Sequence, residues 1–360
     1  MRIKEFEYHD KAIGWKLERT TFSELTLLVG ISGVGKTEIL KAIETVKNIA
    51  IGAMFMVWGV EWDIVFSTND DNEYRWIGDF RKHNLYSEIL YWNGEKIIER
   101  DGKNILFKGE KIPKLQLGVS TIYTLQEEDD ISPVYKNFKK IYAHNKIENY
   151  EMILDEQLES LLKIEYNKLE EIINYEIPII TKFLLVSKHF TKIFDEIKGL
   201  FIDLFPSVEN IRVRSEIGKT DTSIIYMLSF QIKERGVDNW IPMDRISDGM
   251  LKTLYLICEM FLQPEGTVNL IDEFENSLGI NCISVLGESL SSERKMQYII
   301  TSHHPYVINN IGKEHWKVVT RKGGTVTTHD ADILLNTKSH HEAFMRLMNL
   351  PEYKDGIVNS

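Results

Sequence analysis

The spacing of apolar and polar positions changes several times along this chain, and each change predicts a different element. Leu25-Thr26-Leu27-Leu28-Val29 is a short apolar run that suits a buried strand, and Glu38-Ile39-Leu40-Lys41-Ala42-Ile43 follows with helical spacing. From Ile64 to Ser120, short apolar runs separated by Asn69-Asp70, Asn93-Gly94 and Asp101-Gly102 predict β-structure. Within it, Tyr91 to Ile98 reads as a hairpin around the Asn93-Gly94 turn. From about Asn149 to Phe205 the pattern is helical. Leu154, Leu158, Leu161, Leu169 and Ile172 keep near-helical spacing, Pro178 interrupts, and Ile193, Ile197, Leu200 and Leu204 resume it as far as Pro206. This stretch is too short for a sustained coiled coil and reads as a compact inserted lobe. Ser223 to Lys233 predicts a strand. Leu251, Leu254, Tyr255, Cys258 and Leu262 form a helical stripe that begins at Ser247-Asp248-Gly249, with Ser247 as N-cap. Thr267 to Ile271 and Tyr298 to Ile300 predict two more buried strands, and Lys338 to Met348 a helix that packs on its own core or receives a partner.

Composition narrows the classes. The chain has 360 residues, 43% hydrophobic and 27% charged, which is the make-up of a soluble globular protein with one large core and an added lobe, or two domains. Its longest apolar run, Ile49 to Val60, falls short of the ~20 residues that span a bilayer. Arg2, Lys4, Glu5 and Glu7 break any leader-like pattern at the start. Cys258 and Cys282 both lie in apolar helical patterns, which argues against a disulfide scaffold and a cysteine zinc site, so the cytoplasm is the expected compartment. A net charge of −11 gives no compositional reason to propose a dedicated nucleic-acid binder, although it leaves room for a local basic groove. No internal repeat or low-complexity segment is visible.

Between the first strand and the first helix stands Gly30-Ile31-Ser32-Gly33-Val34-Gly35-Lys36-Thr37, the P-loop template of Gly, four residues, Gly-Lys-Thr, in the strand–turn–helix context that it needs. Backbone N–H groups of such a turn, with the helix N-terminus, form a nest for phosphate oxygens. Lys36 would reach the β- and γ-phosphates, and the Thr37 hydroxyl would bind Mg²⁺. Far downstream, the strand ending in Asp272-Glu273 reads as a Walker B strand: Asp272 to hold Mg²⁺ through water, Glu273 to act as general base on the attacking water. About thirty residues on, a second strand ends in Thr301-Ser302-His303-His304-Pro305, where a His can reach a γ-phosphate. A solvated turn His is the plainer alternative. Metal binding by the tandem pair is disfavoured because neighbours in an extended segment face opposite ways.

The order of these segments resembles the ABC/SMC-like ATPases of the RecF and OLD type, often labelled AAA-15 or AAA-21. The resemblance rests on the P-loop, the inserted lobe, Ser247-Asp248-Gly249 as the signature, Asp272-Glu273-Phe274-Glu275 as Walker B, Glu275-Asn276-Ser277-Leu278 as a D-loop, and Ser302-His303-His304-Pro305 as the switch. Phe274 stands where those proteins commonly have proline, and Met250 where transporters have glutamine. The resemblance spans about Met1 to Thr320. It implies an α/β P-loop ABC-type ATPase head, a mixed sheet with a β-rich lobe, with an inserted helical lobe. The expected division is 1–140 for the N-terminal ATPase lobe, 141–206 for the helical lobe, 207–330 for the C-terminal ATPase lobe and 331–360 for a tail.

The resemblance also implies ATP and Mg²⁺ as cofactors and a head-to-tail dimer, or higher oligomer, around two nucleotides. Lys36, Thr37, Asp272, Glu273 and His303 of one copy would then face Ser247 and Gly249 of the other, with Gly30, Ser32, Gly33 and Gly35 of the P-loop also binding the nucleotide. A Q-loop glutamine is expected to join the nucleotide and metal ligands; Gln126 is chosen, with Gln116 second. Tyr8, Trp15 and Phe22 are unranked candidates to stack on adenine, and the acidic run Glu127 to Asp130 reads as a solvated turn. For the biological role, the chain looks like the ATPase subunits of Septu- and PARIS-type anti-phage systems, which hold a separate nuclease or toxin. Nothing past His303 resembles a Toprim nuclease, and residues 331 to 360 are too few for an effector domain. The alternative is a RecF-like ATP-dependent DNA-binding repair mediator. A transporter subunit fits poorly, given the central insert and the Ser-Asp-Gly-Met signature. No membrane role is expected.

Overall fold

The structure, a computed structural model, describes residues 1–53, 59–68, 72–80, 86–113, 118–144, 151–219, 224–275, 296–335, 340–350 and 353. Its strands run in chain order as β1 (Arg2–Asp10), β2 (Trp15–Thr21), β3 (Leu25–Val29), β4 (Val60–Ser67), β5 (Glu73–Phe80), β6 (Tyr86–Trp92), β7 (Glu95–Asp101), β8 (Asn104–Phe107), β9 (Glu110–Lys111), β10 (Ile141–Ala143), β11 (Glu151–Leu154), β12 (Val208–Lys219), β13 (Ile224–Glu234), β14 (Ile241–Pro242), β15 (Val268–Ile271), β16 (Gln297–Ser302), β17 (Trp316–Lys322) and β18 (Thr325–Asp330). The chain divides into two compact units. The first is Met1–Asn145 with Glu265–Phe274 and Leu286–Ser360; the second is Lys146–Pro264 with Glu275–Val285.

The first unit is built on a fourteen-stranded mixed sheet ordered β10-β15-β16-β3-β17-β18-β2-β1-β4-β5-β6-β7-β8-β9. From β10 to β17 neighbouring strands pair in parallel. Every residue of β3 and β16 is buried, as strands covered on both faces must be, and this explains why their centres, Leu27-Leu28 and Ile299-Ile300, are apolar on both faces. The helix α1 (Lys36–Ala50) packs Ile39, Ile43, Val46 and Ala50 into the same core as Leu28, Val268 and Ile299. Beyond β1 the sheet becomes an antiparallel meander, β4 to β9. Along β4, buried and half-buried residues alternate as a period of two requires. The Asn93-Gly94 hairpin forms as the sequence predicts: both residues have positive φ, +48° and +85°, the conformation that makes Asn-Gly a preferred pair there.

One buried polar pair organises the end of this meander. Glu88 and Arg100 sit opposite each other on β6 and β7, each at most 1% exposed. The Glu88 carboxylate accepts from Trp76 Nε1 at 2.9 Å and from the Thr121 N–H at 2.8 Å, and Arg100 Nη1 donates to the Val119 carbonyl at 2.7 Å. Together they pin the chain just ahead of the short helix Thr121–Thr124, whose following turn carries Gln126.

The second unit pairs β12 with β13 in a long antiparallel hairpin, with β11 and β14 also on β13. The helices Asp155–Lys163, Leu169–Ile173, Ile179–His189, Thr191–Leu204 and Asp248–Leu262 complete it. Two features differ from the sequence expectation. Glu151–Leu154, inside the stretch read as helical, is a strand, because pairing with β13 outweighs a four-residue local preference. Residues 207–264, which the motif order groups with the Asp-Glu strand, fall with 146–206, because β12 and β13 form one sheet with β11.

Lys182 is a buried cation of this unit, 4% exposed, and its ammonium donates to the carbonyls of Ile173 at 2.5 Å and Leu262 at 3.3 Å. Each carbonyl belongs to the last residue of a helix, where the helix dipole favours positive charge. Burial nonetheless lowers the Lys182 pKa from 10.5 to about 8. Below pH 8 both folded and unfolded chains carry the proton; between about 8 and 10.5 the unfolded chain holds more of it. Stability from this group therefore rises with pH across that window. Replacing Lys182 with Met removes the rise, so urea unfolding of the two proteins between pH 7 and 10.5 should show the wild type gaining on the variant, by on the order of 3 kcal/mol. A difference that stays flat with pH contradicts this account.

Candidate functional site

β3 ends at Val29, the chain turns through Gly30 to Gly35, and α1 begins at Lys36. Two glycines are dictated by close approach. A Cβ at Gly30 would lie 2.8 Å from the Val319 carbonyl oxygen of β17. Gly35 has φ +108°, and a Cβ there would press on Val326 Cγ2 at 3.0 Å. The turn is thus wedged against β17 and β18, which leaves α1 starting at a fixed point. Lys36 Nζ donates to the carbonyls of Gly30 at 2.7 Å and Ile31 at 2.9 Å, curling over the turn.

The Thr37 hydroxyl donates to the two carboxylate oxygens of Asp272, at 2.8 and 3.0 Å. Asp272 follows β15, and its Oδ1 also accepts from Thr301 Oγ1 of β16 at 2.6 Å. That same Thr301 oxygen accepts the N–H of Glu273 at 2.8 Å. Glu273 has φ +46°, a conformation that non-glycine residues avoid at a cost of order 1 kcal/mol or more. Its neighbour holds it there: Phe274 is fully buried and donates its N–H to the Thr301 carbonyl at 3.0 Å. A proline at 274 has no N–H to give, so phenylalanine here adds a bond as well as an anchor.

The tandem histidines divide their work. His304 caps the short helix Pro305–Asn310 through Nδ1, which accepts from the Tyr306 N–H at 3.2 Å, while its own N–H donates to Ser302 Oγ at 3.0 Å. His303 is exposed and lines a cavity of about 320 Å³ together with Ser32, Gly33, Gly35, Lys36, Thr37, Asp272 and Glu273. Glu38, Thr301 and Arg321 complete the lining. Thr37 and Asp272 present hard oxygen donors side by side, a set that fits Mg²⁺, which binds through few protein oxygens and keeps several waters. Among the described residues no cluster of three or more His, Cys, Asp or Glu side chains is placed to hold a metal.

Ser247 is the N-cap of Asp248–Leu262 in the second unit, its hydroxyl accepting from the Met250 N–H at 3.4 Å, and Gly249 lies in the first turn of that helix. Gln126 is half-buried in its turn and is not among the residues lining the cavity. Gln116, Cys282 and Asn276-Ser277-Leu278 lie outside the described residues. Tyr8, Trp15 and Phe22 are buried, at 4–5% exposure, in the core of the first unit. Glu127 to Asp129 are exposed, and Asp130 pairs with Lys108. Cys258 is buried, and burial pushes its thiol well up from the ordinary range. Among the described residues no helix is long and apolar enough to cross a membrane. Sequence reasoning missed Thr301 and Arg321. No local signal sets Thr301 apart, because Ser302 beside it carries a hydroxyl too.

A protein-family model described as "AAA domain, putative AbiEii toxin, Type IV TA system" matches residues 181–309. Among solved structures, an SMC head bound to the C-winged helix domain of ScpA is similar at 16% identity, with a TM-score of 0.53, over 91% of this chain and 97% of that one. The SMC head domain from Thermotoga maritima is similar at 15% identity and a TM-score of 0.46, over 92% of this chain and 99% of that one. No curated protein matches the sequence. The chain has the mixed α/β fold of SMC ATPase heads, with one large mixed sheet, as the motif order implies.

Proposed function

We propose that this chain binds and hydrolyses ATP, and that two copies close on the nucleotide to control a separate effector, a nuclease or toxin, in defence against phage. One observation carries the reading: three distant stretches of sequence bring Lys36, Thr37, Asp272, Glu273 and His303 to one cavity. The N–H groups of the turn around Ser32, Gly33 and Gly35, with the α1 N-terminus, bind phosphate oxygens. Lys36 neutralises the β- and γ-phosphates. Thr37 and Asp272 would hold Mg²⁺, which when bound would offset the charge that develops on the phosphates. Glu273 takes a proton from the attacking water, and the strained backbone at Glu273 keeps its carboxylate at the cavity wall. His303 hydrogen-bonds the γ-phosphate. Gln126 would join the metal's ligands as the Q-loop glutamine. Ser247 and Gly249, at the start of a fifteen-residue helix, meet the nucleotide of the neighbouring copy, where the helix N-terminus favours an anion.

The effector role draws support from the matched family's description, which names a toxin and a toxin–antitoxin system. The experiment is to purify the Glu273→Gln form with Mg²⁺ and ATP, follow its mass by analytical ultracentrifugation, and identify what co-purifies. Nucleotide-dependent pairing with a bound nuclease or toxin is the expected result. Pairing with DNA alone selects the RecF-like reading, and a form that stays single at saturating ATP rejects nucleotide-driven closure.

A further inference from the structure

In the sheet, β3 has β16 on one side and β17 on the other. Asp272 and His303 reach the cavity from the β15–β16 side. Arg321 reaches it from the β17 side. The parallel register sets Val318 beside Val29, the last residue of β3, so the continuation of β17 to Arg321 runs alongside the P-loop turn. The Arg321 Nε donates to the Gly323 carbonyl at 2.7 Å, which fixes the side chain over its own hairpin, and Nη1 reaches the Gly33 carbonyl at 3.5 Å. Arg321 thus lines the cavity on the P-loop side, with five N–H donors on its guanidinium.

The charge of the cavity asks for this cation. Its lining includes the carboxylates Glu38, Asp272 and Glu273 against Lys36 and Arg321. Lys36 would act at the end of a triphosphate where the bond breaks, and Asp272 would hold the metal. The opposite end brings further negative charge past Gly33 and Gly35, and Arg321 is the charged side chain of the lining on that flank. A guanidinium binds phosphate oxygens in pairs and keeps its charge at any physiological pH.

We propose that Arg321 is a second phosphate ligand of the nucleotide, acting on the α- and β-phosphates and away from the bond that breaks. The proposal rests on the reading of the cavity as an ATP site. Because ADP keeps both of those phosphates, Arg321→Ala should weaken ATP and ADP binding alike, each by about tenfold, with their ratio unchanged to within about twofold. Titration calorimetry with Mg-ATP and Mg-ADP on the full chain reads this directly. Arg321→Lys should recover much of the loss. Arg321→Gln, which keeps an N–H for the Gly33 carbonyl but no charge, should bind as poorly as the alanine form.

Unchanged binding in Arg321→Ala overturns the proposal, and so does native affinity in Arg321→Gln, which would make the residue a tether for the loop. A loss confined to ATP overturns the assigned end of the nucleotide. Lys36→Ala, measured beside them, separates the two readings. If that variant loses ATP while Arg321→Ala does not, the Arg321 proposal alone fails. If the wild type binds neither nucleotide, the ATP site itself fails and takes Arg321 with it.

Discussion

Lys36→Ala should lose at least about a hundredfold in ATP affinity, equivalent to roughly 2.7 kcal/mol or more. The side chain sits at the first position of α1, where the nest of N–H groups and the helix N-terminus already favour an anion, and it brings the one full positive charge that the P-loop itself supplies. Its ammonium donates to the Gly30 and Ile31 carbonyls, acceptors within the turn itself, so it is held directly over the place where phosphate would lie. Removing it leaves a nest that still attracts an anion but without the charge that outweighs Asp272, Glu273 and Glu38 around the same cavity. Fluorescent-nucleotide titration checks the affinity. Thermal unfolding with and without Mg-ATP gives an independent reading, because a ligand that binds only the folded state raises the melting temperature. An ATP affinity equal to that of the wild type rejects the P-loop assignment.

Glu273→Gln should retain ATP binding within a few-fold and lower the hydrolysis rate by about 10²–10⁴. Glutamine keeps the size and backbone demands of glutamate, so the strained φ of +46°, the Thr301 hydrogen bond and the buried Phe274 anchor stay in place. What disappears is the ability to accept a proton from water. The measurement is phosphate release at saturating ATP, paired with a binding titration on the same preparation. Turnover at the native rate means another group is the base; His303 and Glu275 are then the residues to replace next.

Much of this site can be read from the sequence because its parts are local. Gly30 to Thr37 is contiguous, and its chemistry depends on backbone N–H groups and one lysine, so a template captures it. Asp272-Glu273 and His303 each close an apolar strand, which both reveals the strand and marks its end. Ser247 announces its helix through the stripe that follows it, and the helix starts where that stripe predicts. Thr301 and Arg321 are harder because their roles come from pairing across the sheet. A β-branched Thr in a buried strand is ordinary strand material, and an Arg ahead of Gly323-Gly324 reads as a solvated hairpin residue. Only the neighbours β15, β3 and the P-loop give them meaning. The strand Glu151–Leu154 was hidden for the same reason, since its partner lies some seventy residues downstream. The grouping of 207–264 with the inserted lobe follows from that pairing, which no local pattern foretells.

Thr301 Oγ1 is a shared point of reference for the two acidic residues. It donates to Asp272 and accepts from the Glu273 N–H, so one oxygen atom gauges both acidic residues. Any shift of β16 would therefore act on both acidic residues through that one atom, rather than on one of them alone. A single substitution, Thr301→Val, would thus unseat the metal ligand and the base together.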